Sequence, residues 1–336
     1  MRKKMPNSQK TSQKLLAWYQ EYGRDLPWRV KGGAHPNPYV ILVSEFMLQQ
    51  TTVKTVIPYF KRFMERFPTI ETLAKATEEE VYAMWQGLGY YTRARSLHTT
   101  AQIIVNEYAG KFPQNKAEVM KLKGIGAYTV ASFLALAYNQ PETVIDGNVM
   151  RIICRLYHIT RPLDEVKEVI QEKAEQLTDK EYAADYASAI MDLGAMICTP
   201  KKPQCLICPL QEECQSKDKK DLEQIPIRRK MSKKEKEGSV YLIQNDQGNY
   251  LLRKRTEPGL LTRLYEFPWQ DEGKIWEEAE DTGKAVTHIF THIKLTLRIY
   301  KIKSNKPLIA NSFFVSKEAL TEYPLSTLMK KVINKA

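Results

Sequence analysis

Apolar positions recur at helical spacing through the first two thirds of the chain. From Thr11 to Tyr22, Leu15, Leu16, Trp18, Tyr19 and Tyr22 share one face, and Gly23 ends the pattern. The same period runs through Val53, Val56, Ile57, Phe60, Met64 and Phe67, through Val81 to Leu88, and through Leu97 to Tyr108. Thr77 and Glu80 have the spacing of a capping box. Val149, Ile152, Ile153, Leu156 and Tyr157 mark another helix, and residues 164–177 and 181–197 two more. Between them, a short polar helix from Asn115 to Lys123 runs into Gly124-Ile125-Gly126, and Ala127 to Tyr138 is apolar on nearly every face. This predicts a helix, a tight hairpin and a buried helix. Two glycines one residue apart suit unusual dihedrals and close backbone approach. The unpaired N–H groups opening the second helix could hold a phosphate, or the pair could be a plain helical hairpin of the core.

After residue 216 the pattern changes. Residues 217–237, KDKKDLEQIPIRRKMSKKEKE, are charged with almost no apolar content and read as a linker. Beyond them Val240–Ile243 and Tyr250–Leu252 flank Asn245-Asp246-Gln247-Gly248, a hairpin signal. Ile293, Leu295, Leu297 and Ile299 alternate with Lys294, Thr296 and Arg298, the period of a half-buried strand, and a helix is expected near Leu325 to Ile333. The fold class is therefore a mostly α amino-terminal region followed by a small α+β domain.

A chain of 336 residues is long enough for two or three domains. Its formal charge of +12 favours an anionic partner, nucleic acid first, although lysine excess also serves solubility. No apolar segment follows the basic MRKKMPNSQK, and no stretch of eighteen apolar residues occurs, so the expectation is a soluble protein that neither enters membranes nor is exported. Four of the five cysteines crowd into residues 198–214, unlike a secreted disulfide framework.

Three features carry candidate chemistry. Glu45 stands in the apolar run YVILVSEFML (39–48); burying it unpaired is costly, so it faces either solvent or a pocket, and a pocket would favour its protonated form. Asp146, before Gly147-Asn148, is placed to cap a helix or to bear chemistry. Cys198, Cys205, Cys208 and Cys214 are spaced Cys-x6-Cys-x2-Cys-x5-Cys. Zinc sites more often pair two close units across a longer gap, and one compact loop fits a [4Fe-4S] cluster better, acting as a staple for a loop that includes Lys201 and Lys202. Cys154, on an apolar helix face, reads as buried core.

The stretches LPWR (26–29), SEFMLQQT (44–51), GLGYYTRAR (87–95), LKGIGAYT (122–129), VIDGNVMRI (144–152), MDLGAMICT (191–199) and the cysteine loop together resemble the endonuclease III superfamily of base-excision DNA glycosylases, with its helix-hairpin-helix. Within it the chain is similar to the MutY-type adenine DNA glycosylases. The resemblance implies two helical lobes, residues 1–28 with 139–216 holding the iron–sulfur cluster and residues 29–138 the hairpin; a charged linker at 217–238; and a MutT-like lesion-recognition domain at 239–336. It assigns Glu45 as the acid that protonates adenine and Asp146 as the carboxylate that stabilises or traps the sugar cation, with Tyr128 and Asn148 positioning them. Gly124 and Gly126 would serve the hairpin. Arg24, Leu26, Trp28 and Arg29 would line the adenine pocket, while Gln50, Thr51, Leu88 and Tyr90 would probe the vacated stack; Trp28 and Tyr90 could equally be core aromatics. Phe290-Thr291-His292 lies where the family commonly has Phe-Ser-His at the lesion. The implied partner is duplex DNA with adenine opposite 8-oxoguanine or guanine, met by a monomer in the cytoplasm.

Family members that also cut the strand carry a lysine where Tyr128 stands, since a Schiff base needs an amine. WEEAED (276–281) lacks the spacing of a Nudix metal box, so the last domain reads rather than hydrolyses. Departures remain: GLLTRLYEFP (259–268) has Thr262-Arg263 and Tyr265 where small residues and tryptophan are usual, the Lys31–Asn37 loop is long, and Ser188 replaces a longer polar residue. Two other functions stay open on sequence alone: an oxidised-pyrimidine glycosylase with lyase activity, and a non-catalytic iron–sulfur DNA sensor.

Overall fold

A computed structural model describes residues 8–30, 36–229, 234–256, 260–271, 276, 278–290 and 292–336. Among them no strand occurs before residue 234. The helices in order are α1 (Ser8–Tyr22), α2 (Pro38–Leu48), α3 (Val53–Arg66), α4 (Ile70–Lys75), α5 (Glu78–Trp85) and α6 (Tyr91–Glu107). They continue with α7 (Lys116–Val119), α8 (Ala127–Tyr138), α9 (Gly147–Leu156), α10 (Lys167–Leu177) and α11 (Ala183–Met196), and α12 (Thr327–Lys335) closes the chain. Two units result: Met1–Lys75 with Ser96–Arg229, and Ala76–Arg95 with Lys230–Ala336.

In the first unit α8 packs against α2, α7 and α11, which accounts for its apolar surface on all sides. α2 opens at Pro38 behind Asn37, whose side chain accepts from Tyr39 N, so proline fills a position that needs no donor. A second core joins α1, α9, α10 and α11 through Leu15, Tyr19, Ile153, Ile170 and Ile190. Each such fully buried side chain contributes about 1.5–3 kcal/mol.

The structure corrects two expected elements. α7 stops at Val119, short of Lys123, because the chain then tightens into successive turns, with Lys121 N donating to Glu118 O and Leu122 N to Val119 O. The charged stretch after residue 216 is no free linker over its first half. Ile225 is buried in the second core, Ile227 O accepts from Leu163 N, and Arg229 pairs with Asp164 and Glu165. A few apolar residues anchor it despite the surrounding charge, and a strand begins at Lys234, inside the same stretch.

In the second unit a mixed sheet is built from β1 (Lys234–Gln244), β2 (Tyr250–Lys254), β3 (Tyr265–Glu266), β4 (Trp269–Asp271), β5 (Glu280–Ile289), β6 (Ile293–Lys303) and β7 (Ser312–Val315). Its order is β3-β2-β1-β6-β5, with β4 on β1 and β7 on β2. β1 and β6 run parallel, and the other pairs are antiparallel. The expected hairpin joins β1 to β2 in the register Gln244 to Tyr250, with Gly248 at φ 79°. Leu295, Leu297 and Ile299 of β6 bury their side chains with Leu328, Met329 and Val332 of α12. α5, which carries the Thr77–Glu80 capping box, belongs to this unit.

Candidate active site and iron–sulfur loop

Three helices of the first unit converge on two carboxylates. Glu45, on α2, is only 4% exposed, so solvent is not its partner. Burial pushes its pKa up to about 7; the Ser132 and Tyr128 hydroxyls and the Arg29 charge draw it back, while the Asp146 charge adds to the rise. Oε2 has no hydrogen-bond partner among the described residues. Tyr128 and Ser132 lie four residues apart on α8, hence on one face. The Tyr128 phenol is held well above its ordinary value by burial first and then by the charges of Glu45 and Asp146. Its hydroxyl points to Met191 Sδ at 3.7 Å.

Asp146 caps α9. Its Oδ1 accepts from Asn148 N at 2.8 Å and Val149 N at 2.7 Å, and its Oδ2 from Asn148 Nδ2 at 2.9 Å. The cap and the candidate catalytic group are the same carboxylate. Asn148 is itself held: its Oδ1 accepts from Arg151 Nη2 at 2.9 Å. Arg151 reaches on, Nη2 to Gly194 O at 2.7 Å and Nε to Cys198 O at 2.8 Å. Gly194, inside α11, lacks a side chain where one would not fit, since a Cβ there would stand 2.6 Å from Asn148 Cβ.

Arg24 and Arg29 both meet Asp192 of α11, a residue with no exposure at all. Arg24 Nη2 lies 2.6 Å and Arg29 Nη1 2.8 Å from its Oδ1, and Arg24 N donates to Oδ2 at 2.8 Å. Asp192 is a functional candidate that only the structure brings forward, although a carboxylate in an apolar helical run is the same signal that marks Glu45. Leu26 and Trp28 are buried, Trp28 edge-on to Phe60 at 5.2 Å. Trp28 and Arg29 also line a 240 Å³ cavity with Ser188 and Asp185.

The hairpin glycines differ. Gly124 has φ 77°, and a Cβ on it would meet Ser96 Cβ at 2.4 Å. Gly126 caps α8 with an ordinary φ of −106° and open space around it. Gln50 is exposed at φ 59°, and Thr51 N donates to Leu48 O.

Of the remaining candidates, Leu88, Tyr90, Phe290 and His292 fall in the second unit. Leu88 is buried, whereas Tyr90 is 49% exposed at φ 49° and is no core aromatic. Tyr90, Phe290 and His292 line one cavity of 460 Å³ together with Leu261, Leu264 and His288. Thr291 lies outside the described residues, as do Gly259 and most of the Lys31–Asn37 loop.

Cys198, Cys205, Cys208 and Cys214 ring a 30 Å³ cavity beside Arg155. No group of three His, Cys, Asp or Glu side chains among the described residues meets at one point as a single ion would require. Burial pushes the Cys208 thiol up to about 12 and those of Cys205 and Cys214 upward, so thiolates here need a compensating positive centre. The donor set fits an iron–sulfur cluster. Arg155 is fully buried and ties the loop down: Nη1 to Thr199 O at 2.6 Å, Nη2 to Pro200 O at 2.9 Å, Nε to Ile225 O at 3.0 Å, with Cys198 Sγ 3.6 Å from Nη1. No helix among the described residues is long and apolar enough to cross a membrane.

The comparisons with known proteins bear on the same residues. Residues 43–179 match the model of the HhH-GPD superfamily base excision DNA repair proteins, 198–214 the iron–sulfur binding domain of endonuclease III, and 239–335 the NUDIX domain. The chain is 36% identical over 317 residues to the adenine DNA glycosylase of Buchnera aphidicola subsp. Acyrthosiphon pisum (strain APS), covering 90% of this chain and 88% of that one. It is 31% identical over 395 residues to that of Homo sapiens, covering 95% and 72%. A solved thermostable thymine-DNA glycosylase superposes at TM-score 0.54 with 28% identity, over 62% of this chain and 96% of that one. An endonuclease III in a non-covalent DNA complex shares the fold at TM-score 0.53 and 23% identity, over 63% and 97%. The chain is a base-excision DNA glycosylase with an iron–sulfur loop, and it belongs to the adenine DNA glycosylase family.

Proposed function

We propose that the enzyme hydrolyses the N-glycosidic bond of adenine mispaired with 8-oxoguanine or guanine, without strand cleavage. The observation that carries this reading is Glu45: a buried carboxyl with its pKa raised to about 7, one oxygen with no partner among the described residues, and Tyr128 rather than an amine beside it. Adenine is a poor leaving group and must be protonated to depart. A carboxyl poised near neutrality can donate that proton to N7 while the C1′–N9 pair leaves with the base. Asp146 then faces the electron-poor sugar, either as a charge that stabilises the cation or as the oxygen that bonds C1′ until water replaces it. Three N–H donors fix that carboxylate before substrate arrives, and Tyr128 and Asn148 hold the two groups in register.

The base has to leave the duplex first, at a cost of a few kcal/mol that backbone contacts offset. Gly126 supports the hairpin as one such contact, because among the described residues no atom stands within 4 Å of where its side chain would be, which leaves that space to a phosphate. The cluster, when bound, closes the cysteine loop through its iron–thiolate bonds. Arg24, Leu26, Trp28 and Arg29 would frame the flipped adenine. Gln50, Thr51, Leu88 and Tyr90 would occupy the gap, and the cavity at Phe290 and His292 would take the opposite base.

Single-turnover cleavage of duplexes with A:8-oxoguanine, A:G and A:C pairs, with alkali to reveal abasic sites, tests the reading. Alkali-dependent breaks, fastest for A:8-oxoguanine, are expected. Strand cleavage without alkali, together with borohydride trapping of a covalent complex, would instead mark a lyase; tight binding with no base release would mark a sensor.

A further inference from the structure

The turn before β3 is strained in a way its own hydrogen bonds do not require. Leu261 and Arg263 adopt φ of 62° and 67°, left-handed conformations that residues with side chains rarely hold. Arg263 N donates to Arg255 O at 2.7 Å, a bond any residue but proline could make. What the arginine adds is an ion pair: Nη1 lies 2.9 Å from Glu78 Oε2 and 3.3 Å from Oε1. Glu78 opens α5 and also accepts from Tyr82 Oη. Lys254 Nζ to Glu79 Oε1 at 2.8 Å also joins α5 to β2, and Gln86, which caps α5, donates from Nε2 to Tyr323 O at 3.1 Å ahead of α12. Beyond α5 the chain turns through Gly87, Gly89 and Tyr90, all at positive φ, and these residues form one wall of the 460 Å³ cavity. Leu260, Leu261, Thr262 and Leu264, with His288, Phe290 and His292, form a second wall facing it, and Leu325 to Leu328 at the head of α12 complete the lining.

We propose that Arg263 is a positioning residue for lesion discrimination: its ion pair with Glu78 latches the 260–264 turn to α5 and so sets the separation of the two cavity walls. This rests on reading that cavity as the site of the base opposite adenine. Stability alone does not explain the pair. The Arg263 and Glu78 side chains are 50% and 26% exposed, so the attraction is weakened by water and does not outweigh the backbone strain it accompanies. The pair therefore yields no net stability, and what remains is geometry. Because salt screens an exposed pair, the latch also makes discrimination sensitive to ionic strength.

The test measures single-turnover adenine excision from A:8-oxoguanine and A:G duplexes for wild type, Arg263→Gly, Arg263→Glu, Glu78→Arg and the charge-reversed double variant, with melting temperatures alongside. Glycine takes the left-handed conformation freely, so Arg263→Gly should not lower the melting temperature. The ratio of the two rates should nevertheless fall about 2- to 5-fold, and wild type should lose the same preference in high salt while the glycine variant changes less. Each single reversal should lower the ratio, and the double variant should recover it. An unchanged ratio in Arg263→Gly, or a double variant no better than Arg263→Glu, would overturn the latch. His292→Ala separates the two levels. If it leaves the ratio intact, the reading of the cavity is wrong. If it lowers the ratio while the Arg263 series does not, only the latch is.

Discussion

Replacing Glu45 with glutamine keeps the side-chain volume and removes a titrating group from the interior. The folded protein holds the Glu45 proton up to about pH 7, whereas an exposed carboxyl releases it near 4.5. Between those values the folded state binds more protons than the unfolded chain, so stability is fully present at low pH and declines as pH rises through about 7. The interval corresponds to about 3 kcal/mol, from about 1.4 kcal/mol for each pH unit. Glutamine has no such dependence. The variant should therefore gain on wild type as pH rises from 5 to 8.5, by about 6–12 °C in melting temperature at the 2–4 °C per kcal/mol usual for a unit of this size. It should at the same time lose adenine excision by about 100-fold or more, the contribution of a positioned acid. Wild-type excision should fall as pH passes about 7, where the acid loses its proton. A melting difference that does not grow with pH, or a glutamine variant with full activity, would refute the reasoning.

Four other outcomes follow from the geometry. Asp146→Asn keeps an oxygen to cap α9, so its melting temperature should stay within a few degrees of wild type while single-turnover excision collapses; equal losses in both would mean the residue is only a cap. Asp192→Asn leaves the Arg24 and Arg29 charges short of their buried partner and should cost about 3–5 kcal/mol in denaturant unfolding. Gly124→Ala should destabilise the fold by about 2 kcal/mol or more, because its φ and its contact with Ser96 both exclude a side chain. Gly126→Ala should melt like wild type yet bind duplex DNA more weakly, and unchanged affinity in a salt titration would remove the hairpin from the interface.

Glu45 could be found from the sequence because a charge in an apolar run is conspicuous, and Asp146 because a cap signal has fixed spacing. The buried helix Ala127–Tyr138 and the alternating strand at Ile293 stand out for the same reason, a clear period. Asp192 carries the same mark as Glu45, a charge in an apolar run, whereas Arg151 and Arg155 carry none. Arg155 binds distant backbone carbonyls, and Arg151 reaches past its near neighbour Asn148 to the carbonyls of Gly194 and Cys198, ties that leave no mark in the sequence. The segment 217–229 reads as a linker because its charge outweighs two isoleucines in any average, although Ile225 is seated in a core. The grouping of Ala76–Arg95 with the carboxy-terminal sheet brings together residues 175 and 185 positions apart, as in the Glu79–Lys254 and Glu78–Arg263 pairs, which no local pattern announces.

Gly194 has a consequence for engineering. Exchanging a helical glycine for alanine is a routine route to a more heat-resistant protein, gaining about 0.4–1 kcal/mol where the backbone permits. By that rule Gly194 is an attractive target, since it lies within α11 and does not have a positive φ. Its neighbour across the helix pair is Asn148 Cβ, 2.6 Å from where the new methyl would stand. The methyl would push α9 and α11 apart at the residue that grips Asp146 and accepts from Arg151. A stabilisation campaign ranked by helix propensity would thus displace the carboxylate proposed to be catalytic, and a screen for thermal survival alone would read that displacement only as a loss of stability.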